Sequence, residues 1–287
     1  MSTELLLNPK TRQAIVTILR DTPHATLIVG SSGAGKMIAR HIAKQALGTP
    51  VLLEASANYT EIVAEKSITI EQIRLLTKFM QLKVPGTAKI RRVAVVVGAD
   101  TMTTEAQNAL LKLLEEPPAD TMLLLTAEQV YGLLPTIRSR AQVLQVIQPS
   151  LGQAVEYFQA VGNTKSDIDR AYSISGGQPG LLAALLDGGQ DHELARHIAQ
   201  AKELLQMSSF DRLTQVEPLT KSKDDLPGLL AACKRIAQSA LQQAASKHND
   251  AQLQAWHRRL QHIMDAEKAL SLSGSPKLVL TDLFLAL

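Results

Sequence analysis

Gly30-Ser31-Ser32-Gly33-Ala34-Gly35-Lys36 fits the G-x-x-x-x-G-K pattern of a phosphate-binding loop. Glycines let successive backbone N–H groups turn inward onto phosphate oxygens. The lysine reaches the outer phosphates, and a helix starting there adds the positive end of its dipole. The next position is where this chemistry thins. A phosphate-loop ATPase places a Ser or Thr hydroxyl there to hold magnesium, and this chain has Met37. A thioether is a poor ligand for a hard cation that prefers oxygen. The carboxylates that complete such a site belong at the end of another strand. In Arg92-Val-Ala-Val-Val-Val-Gly-Ala-Asp100 those end positions are Val97 and Gly98. Asp100 comes two residues too late and suits a turn or a helix cap. Three oxygen groups are absent, which argues against autonomous ATP hydrolysis. Two readings of the loop stand: a weak cradle for ATP or ADP, and a turn that keeps the conformation but holds no nucleotide. Neither requires a cofactor.

A phosphate loop needs a strand before it and a helix behind it. Ala25 to Val29 is an apolar run ending at Gly30, and Ile38, Ala39, Ile42, Ala43 and Ala46 recur at helical spacing. Val51 to Leu53 is a short strand candidate. Ile70 to Leu82 reads as an amphipathic helix through Ile70, Ile73, Leu76 and Met80. Val93 to Val97 has the texture of a strand buried on both faces of a parallel sheet. Thr104-Glu-Ala-Gln107 has a capping-box pattern and opens a helix running to Pro117-Pro118. Met122 to Thr126 and Ala141 to Val146 complete the strands. Strands alternating with helices imply a doubly wound α/β layer. After Pro149 the pattern becomes helical, with breaks at Gly162-Asn163, Gly176 to Gly180 and Gly188-Gly189, and later around Pro218, Pro227 and Gly274 to Pro276. The expected organisation is an α/β domain over 1–148, a small helical domain over 149–189 and a C-terminal helical domain over 190–287.

Composition narrows the function. Four Phe, four Tyr and one Trp in 287 residues leave an aliphatic core. They also argue against modules that stack nucleic-acid bases on aromatic platforms. Thirty basic against 27 acidic residues give a net charge of +3, no broad footprint for DNA. The single cysteine, Cys233, excludes an internal disulfide and a cysteine-built zinc site. No metal is expected, since the seven histidines show no ligand spacing. No apolar run approaches the ~18 residues of a membrane span. The N-terminus, interrupted by Glu4, Lys10 and Arg12, lacks a secretory apolar region. A cytoplasmic location without membrane partners is expected.

Met102-Thr-Thr-Glu-Ala-Gln-Asn-Ala-Leu-Leu-Lys-Leu-Leu-Glu-Glu-Pro-Pro118 resembles the helix-and-turn signature of the bacterial DNA polymerase III clamp-loader AAA+ subunits. Leu133-Leu-Pro-Thr-Ile-Arg-Ser-Arg140 is similar to the segment ending in that family's Ser-Arg-Cys motif, and Ser67 to Arg74 and Ala266 to Leu287 resemble further family stretches. Subunits of the delta-prime type are the nearest fit. The resemblance implies an AAA+ domain, a helical lid and a helical collar for oligomerisation. It implies a ring with ATPase subunits and a delta subunit that opens the sliding clamp and loads it onto primed-template DNA. Delta-prime-like subunits carry a degraded nucleotide site and donate the motif's arginine to a neighbour's ATP. Here that arginine is Arg140.

Two departures from the family stand out. The four-cysteine zinc module after the first helix is missing, so zinc is not expected. The motif reads Ser139-Arg140-Ala141, with Ala for Cys and the arginine kept. After Gly180, where the ATPase subunits carry an arginine sensing the γ-phosphate, stands Leu181. Arg140 is read as a finger acting in trans or as a surface charge, and Arg138 as a second phosphate or DNA contact or a surface charge. Lys221, Lys223, Lys234 and Arg235 read as a solvated face or a DNA contact. Two functions follow: a non-hydrolysing ring subunit that supplies an arginine, or an ATP-hydrolysing gamma- or tau-like subunit with nonstandard magnesium coordination.

Overall fold

The computed structural model describes residues 6–31, 33–48, 53–64, 66–188, 192–221 and 225–287. The chain divides into two compact units, Met1–Ser150 and Leu151–Leu287. The expected boundary between lid and collar falls on residues 189–191, outside the described ones.

The first unit holds five strands, β1 (Ala25–Val29), β2 (Tyr59–Val63), β3 (Arg92–Val97), β4 (Thr121–Ala127) and β5 (Gln142–Gln145). Its helices are α1 (Pro9–Asp21), α2 (Ala34–Leu47), α3 (Ile70–Gln81), α4 (Thr104–Glu115) and the short α5 (Pro135–Arg138). All pairings are parallel, in the order β2-β3-β4-β1-β5. Side chains alternate across the sheet. Leu27, Ala94, Val96, Leu123 and Leu125 pack with Ile73, Leu110 and Leu114 of α3 and α4. Ile28, Val93, Val95, Met122 and Leu124 pack with Ile15 of α1 and Ile38 and Ile42 of α2. Every buried member of these two clusters is aliphatic, Met or Ala, as the aromatic scarcity requires.

Two local expectations are corrected. Leu53 belongs to a 3-10 turn, Leu53–Ala55, while Val51 and Leu52 lie outside the described residues. The edge strand is Tyr59–Val63, half-buried over its first four residues and polar in its first half. The helix expected to open with a box at Thr104 instead has Thr103 as its cap, whose hydroxyl accepts from the Ala106 N–H at 3.2 Å. That one-residue shift turns Gln107 into the core. The reciprocal cap bond is found at α3, where Gln72 accepts from the Thr69 N–H at 2.9 Å.

The second unit contains α6 (Leu151–Ala160), α7 (Lys165–Ser175), α8 (Pro179–Leu186), α9 (Glu193–Gln206), α10 (Ser209–Thr214), α11 (Val216–Lys221), α12 (Leu226–Ser246), α13 (Asp250–Ser271) and α14 (Pro276–Ala286). One buried cluster runs from Leu181 through Ile198, Leu229 and Ile263 to Phe284. Cys233 lies in it, and burial pushes its thiol up to about 12, which leaves it protonated and inert at neutral pH. Among the described residues no helix is long and apolar enough to cross a membrane.

Candidate functional site

The loop between β1 and α2 sits at the carboxyl end of the sheet. Its first residue is anchored to the neighbouring strand, the Gly30 N–H donating to the Ala127 carbonyl at 3.1 Å. Gly33 takes φ +81, a left-handed conformation that favours glycine, and starts α2 without a capping side chain. Gly35 lies over β4, where a Cβ would stand 3.0 Å from that of Thr126. Ala34 and Gly35 are buried, and exposed Ser31 accepts from Gln148 at 2.8 Å. Ser32 lies outside the described residues.

Lys36 is already engaged. Its Nζ stands 3.2 Å from a carboxylate oxygen of Glu61 on β2. Arg40, one turn further along α2, donates to both oxygens of Glu61 at 2.7 and 3.0 Å, and the Tyr59 hydroxyl donates at 2.5 Å. Burial alone would raise the Glu61 carboxyl. The bonds from Arg40 and Tyr59 and the charge of Lys36 outweigh it and hold the pKa below the usual range. Burial, then the bond to Glu61, raises the Tyr59 hydroxyl. A depressed carboxylate contributes stability above its unfolded pKa and loses it as pH falls through the folded value. A phosphate reaching Lys36 competes with this carboxylate for the ammonium. Glu61→Gln is therefore expected to bind ATP and ADP about tenfold more tightly, the equivalent of one displaced charge-assisted bond. Titration of a fluorescent ATP analogue, followed by anisotropy, checks this; equal affinities would remove Glu61 as a competitor.

No oxygen replaces the missing magnesium ligands at the expected places. Met37 is half-buried on α2, and Val97 ends β3 as an aliphatic side chain. Gly98, at φ +74, donates its N–H to the Thr126 hydroxyl at 3.0 Å. Asp100 is a turn brace: its carboxylate accepts from the N–H groups of Glu128 and Gln129 at 3.1 and 3.3 Å.

Arg140 lies at the other end of the sheet. It stands two residues before β5, and β5 runs parallel to β1 with Thr26 opposite Gln142 and Val29 opposite Gln145. Four paired residues separate it from the loop, on the order of 13 Å along the strand. Its guanidinium pairs with Glu115 at 3.0 Å and donates to the Thr136 carbonyl at 3.2 Å and the Ser139 hydroxyl at 3.4 Å. With the two side chains 37% and 50% exposed, that pair is worth roughly 0–1 kcal/mol. The segment leading to it is fixed by Gln107, whose amide donates to the carbonyls of Gly132 at 2.9 Å and Met102 at 3.3 Å and accepts from the Leu134 N–H at 2.8 Å. Arg138 ends α5, half-buried.

The sequence reading missed Glu61, Tyr59 and Glu115, and gave Gln107 to a cap rather than to this brace. Only Arg40 left a signal, four residues after Lys36 and so on the same helix face. Leu181 is buried in the second core. Lys221 pairs with Glu217 at 3.1 Å and Lys234 with Glu267 at 2.6 Å, while Arg235 donates to the Ser175 carbonyl at 3.4 Å. Lys223 lies outside the described residues.

A parallel sheet with a phosphate loop after β1, followed by a helical unit, sets the class of the fold: a P-loop fold of the AAA+ type. The fold matches a DNA polymerase III gamma subunit-related protein from Thermotoga maritima with a TM-score of 0.61, at 16% identity, covering 94% of this chain and 97% of that one. The sequence is similar to DNA polymerase III clamp-loader subunits of the delta-prime type, and the chain spans just under two thirds of the length of the first of these relatives and less than half of the second. Residues 55–150 match the family described as DNA polymerase III, delta subunit. The delta-prime subunit of Pseudomonas aeruginosa is 33% identical over 228 residues, 71% of this chain and 66% of the relative. That of Bacillus subtilis is 31% identical over 147 residues, 46% of this chain and 44% of the relative.

Proposed function

We propose that this chain is a non-hydrolysing, delta-prime-like member of a clamp-loader ring. With ATPase subunits and a delta subunit it helps open the sliding clamp and load it onto primed-template DNA, and it donates Arg140 to the ATP of a neighbour. The observation that carries this reading is the sheet register, which sets Arg140 a strand length from the chain's own loop. An arginine so placed has no phosphate of its own to serve. Its planar, permanently charged fork suits γ-phosphate oxygens as charge develops on them, and leaving Glu115 costs little. The loop supports the silent half of the proposal: Met37, Val97 and Gly98 supply no oxygen for magnesium, and Lys36 is held by Glu61. No nucleotide, zinc or other cofactor is needed for such a role.

The test is steady-state ATP hydrolysis by the isolated chain with magnesium, where turnover no faster than buffer is expected. A rate on the order of 1 per second, ordinary for phosphate-loop enzymes, would restore the gamma- or tau-like alternative. Weak nucleotide binding without turnover agrees with the proposal.

A further inference from the structure

A cavity of about 390 Å³ opens at the amino ends of β3 and β4, between the end of α3 and the turn that enters β4. Leu82, Val84 and Pro118 give it apolar walls, and Lys83, Arg91, Arg92 and Asp120 give it charge. Arg91 is committed to the protein: Nη1 donates to the carbonyls of Val84 and Gly86, and Nη2 pairs with Asp120. Arg92 is different. It is 4% exposed and stacks on Phe79 with 4.7 Å between guanidinium carbon and ring centroid. Its Nη1 donates to the carbonyls of Phe79 and Leu82, closing α3. Nε is buried and meets no acceptor among the described residues. Burial lowers its pKa with no opposing carboxylate, yet a guanidinium stays protonated at neutral pH. A charge is thus buried without a counter-ion, which is costly unless something supplies one.

We propose that this cavity binds a small carboxylate anion carried on an apolar body, with the carboxylate paired with the guanidinium of Arg92. Helix carbonyls occupy Nη1, and Nη2, beside the buried Nε, is the donor left for a carboxylate oxygen. Asp120 is neutralised by Arg91, so Lys83 and Arg92 keep the cavity positive. The apolar walls favour an aliphatic carboxylate over a bare phosphate. An N-blocked amino acid and the C-terminal residue of another chain present the same chemistry.

The probe is N-acetyl-leucine, titrated into the full chain by calorimetry. Saturable binding with a Kd of about 1 mM is expected for so small a ligand, and none for its methyl ester. Arg92→Lys keeps the charge but loses the fork and should bind about 10- to 100-fold more weakly. Because Arg92 also closes α3, a second variant leaves it in place. Ala119→Trp, on the exposed rim, should fill the cavity and abolish binding without moving the unfolding transition. A tripeptide ending in leucine separates the sources: tighter binding than N-acetyl-leucine marks a chain terminus, equal or weaker binding a small molecule. No saturation tenfold above the expected Kd would overturn the proposal, as would binding of the ester, preference for inorganic phosphate, or unchanged binding in both variants.

Discussion

In rings reconstituted with the Arg140→Ala chain, ATP turnover at the adjoining subunit is expected to fall about 10³- to 10⁵-fold, some 4–7 kcal/mol of barrier. Folding and assembly should be intact, because the mutation removes only one exposed ion pair and bonds to Thr136 and Ser139. Arg140→Lys should rescue little, since an ammonium keeps the charge and loses the planar fork. Other sites of the ring continue to turn over, so the drop in total steady-state rate is a fraction of the loss at one site. Clamp loading should fall with it. Unchanged turnover and loading in an intact mutant ring would reduce the chain to a spacer.

Gln107→Leu is expected to cost about 2–4 kcal/mol, more than any surface change. It strands the part-buried Leu134 N–H and deprives the buried Met102 carbonyl and the more exposed Gly132 carbonyl of their donor, with about 1–3 kcal/mol for each group that water cannot reach. The denaturation midpoint of the first unit checks the cost. The damage should also reach function, because Gly132 and Leu134 lead into α5 and thence to Arg140. A variant as stable as the wild type would show that water or relaxation satisfies these groups.

β1, β3 and β4 were legible because a strand buried on both faces must be an unbroken apolar run. β2 was not. At a sheet edge it is only half-buried, so Tyr59-Thr-Glu61 carries polar residues that its own sequence gives no reason to bury. The apolar run Val51 to Leu53 drew the strand assignment instead. Glu61 became readable only with its partners, brought from a helix about 20 residues earlier. Gln107 was visible but assigned to a cap, because a second threonine one position upstream could serve equally well and did. The loop from Gly30 to Lys36 was plain from spacing. Arg140 was plain only by resemblance, and its partner Glu115, 25 residues earlier, left no local trace.

The most direct measurement is clamp loading onto primed DNA by a ring assembled from its ATPase and delta subunits, with and without this chain. Loading is expected only when the chain is present, with no ATP turnover from the chain by itself. Equal loading in its absence would contradict a place for it in the clamp loader.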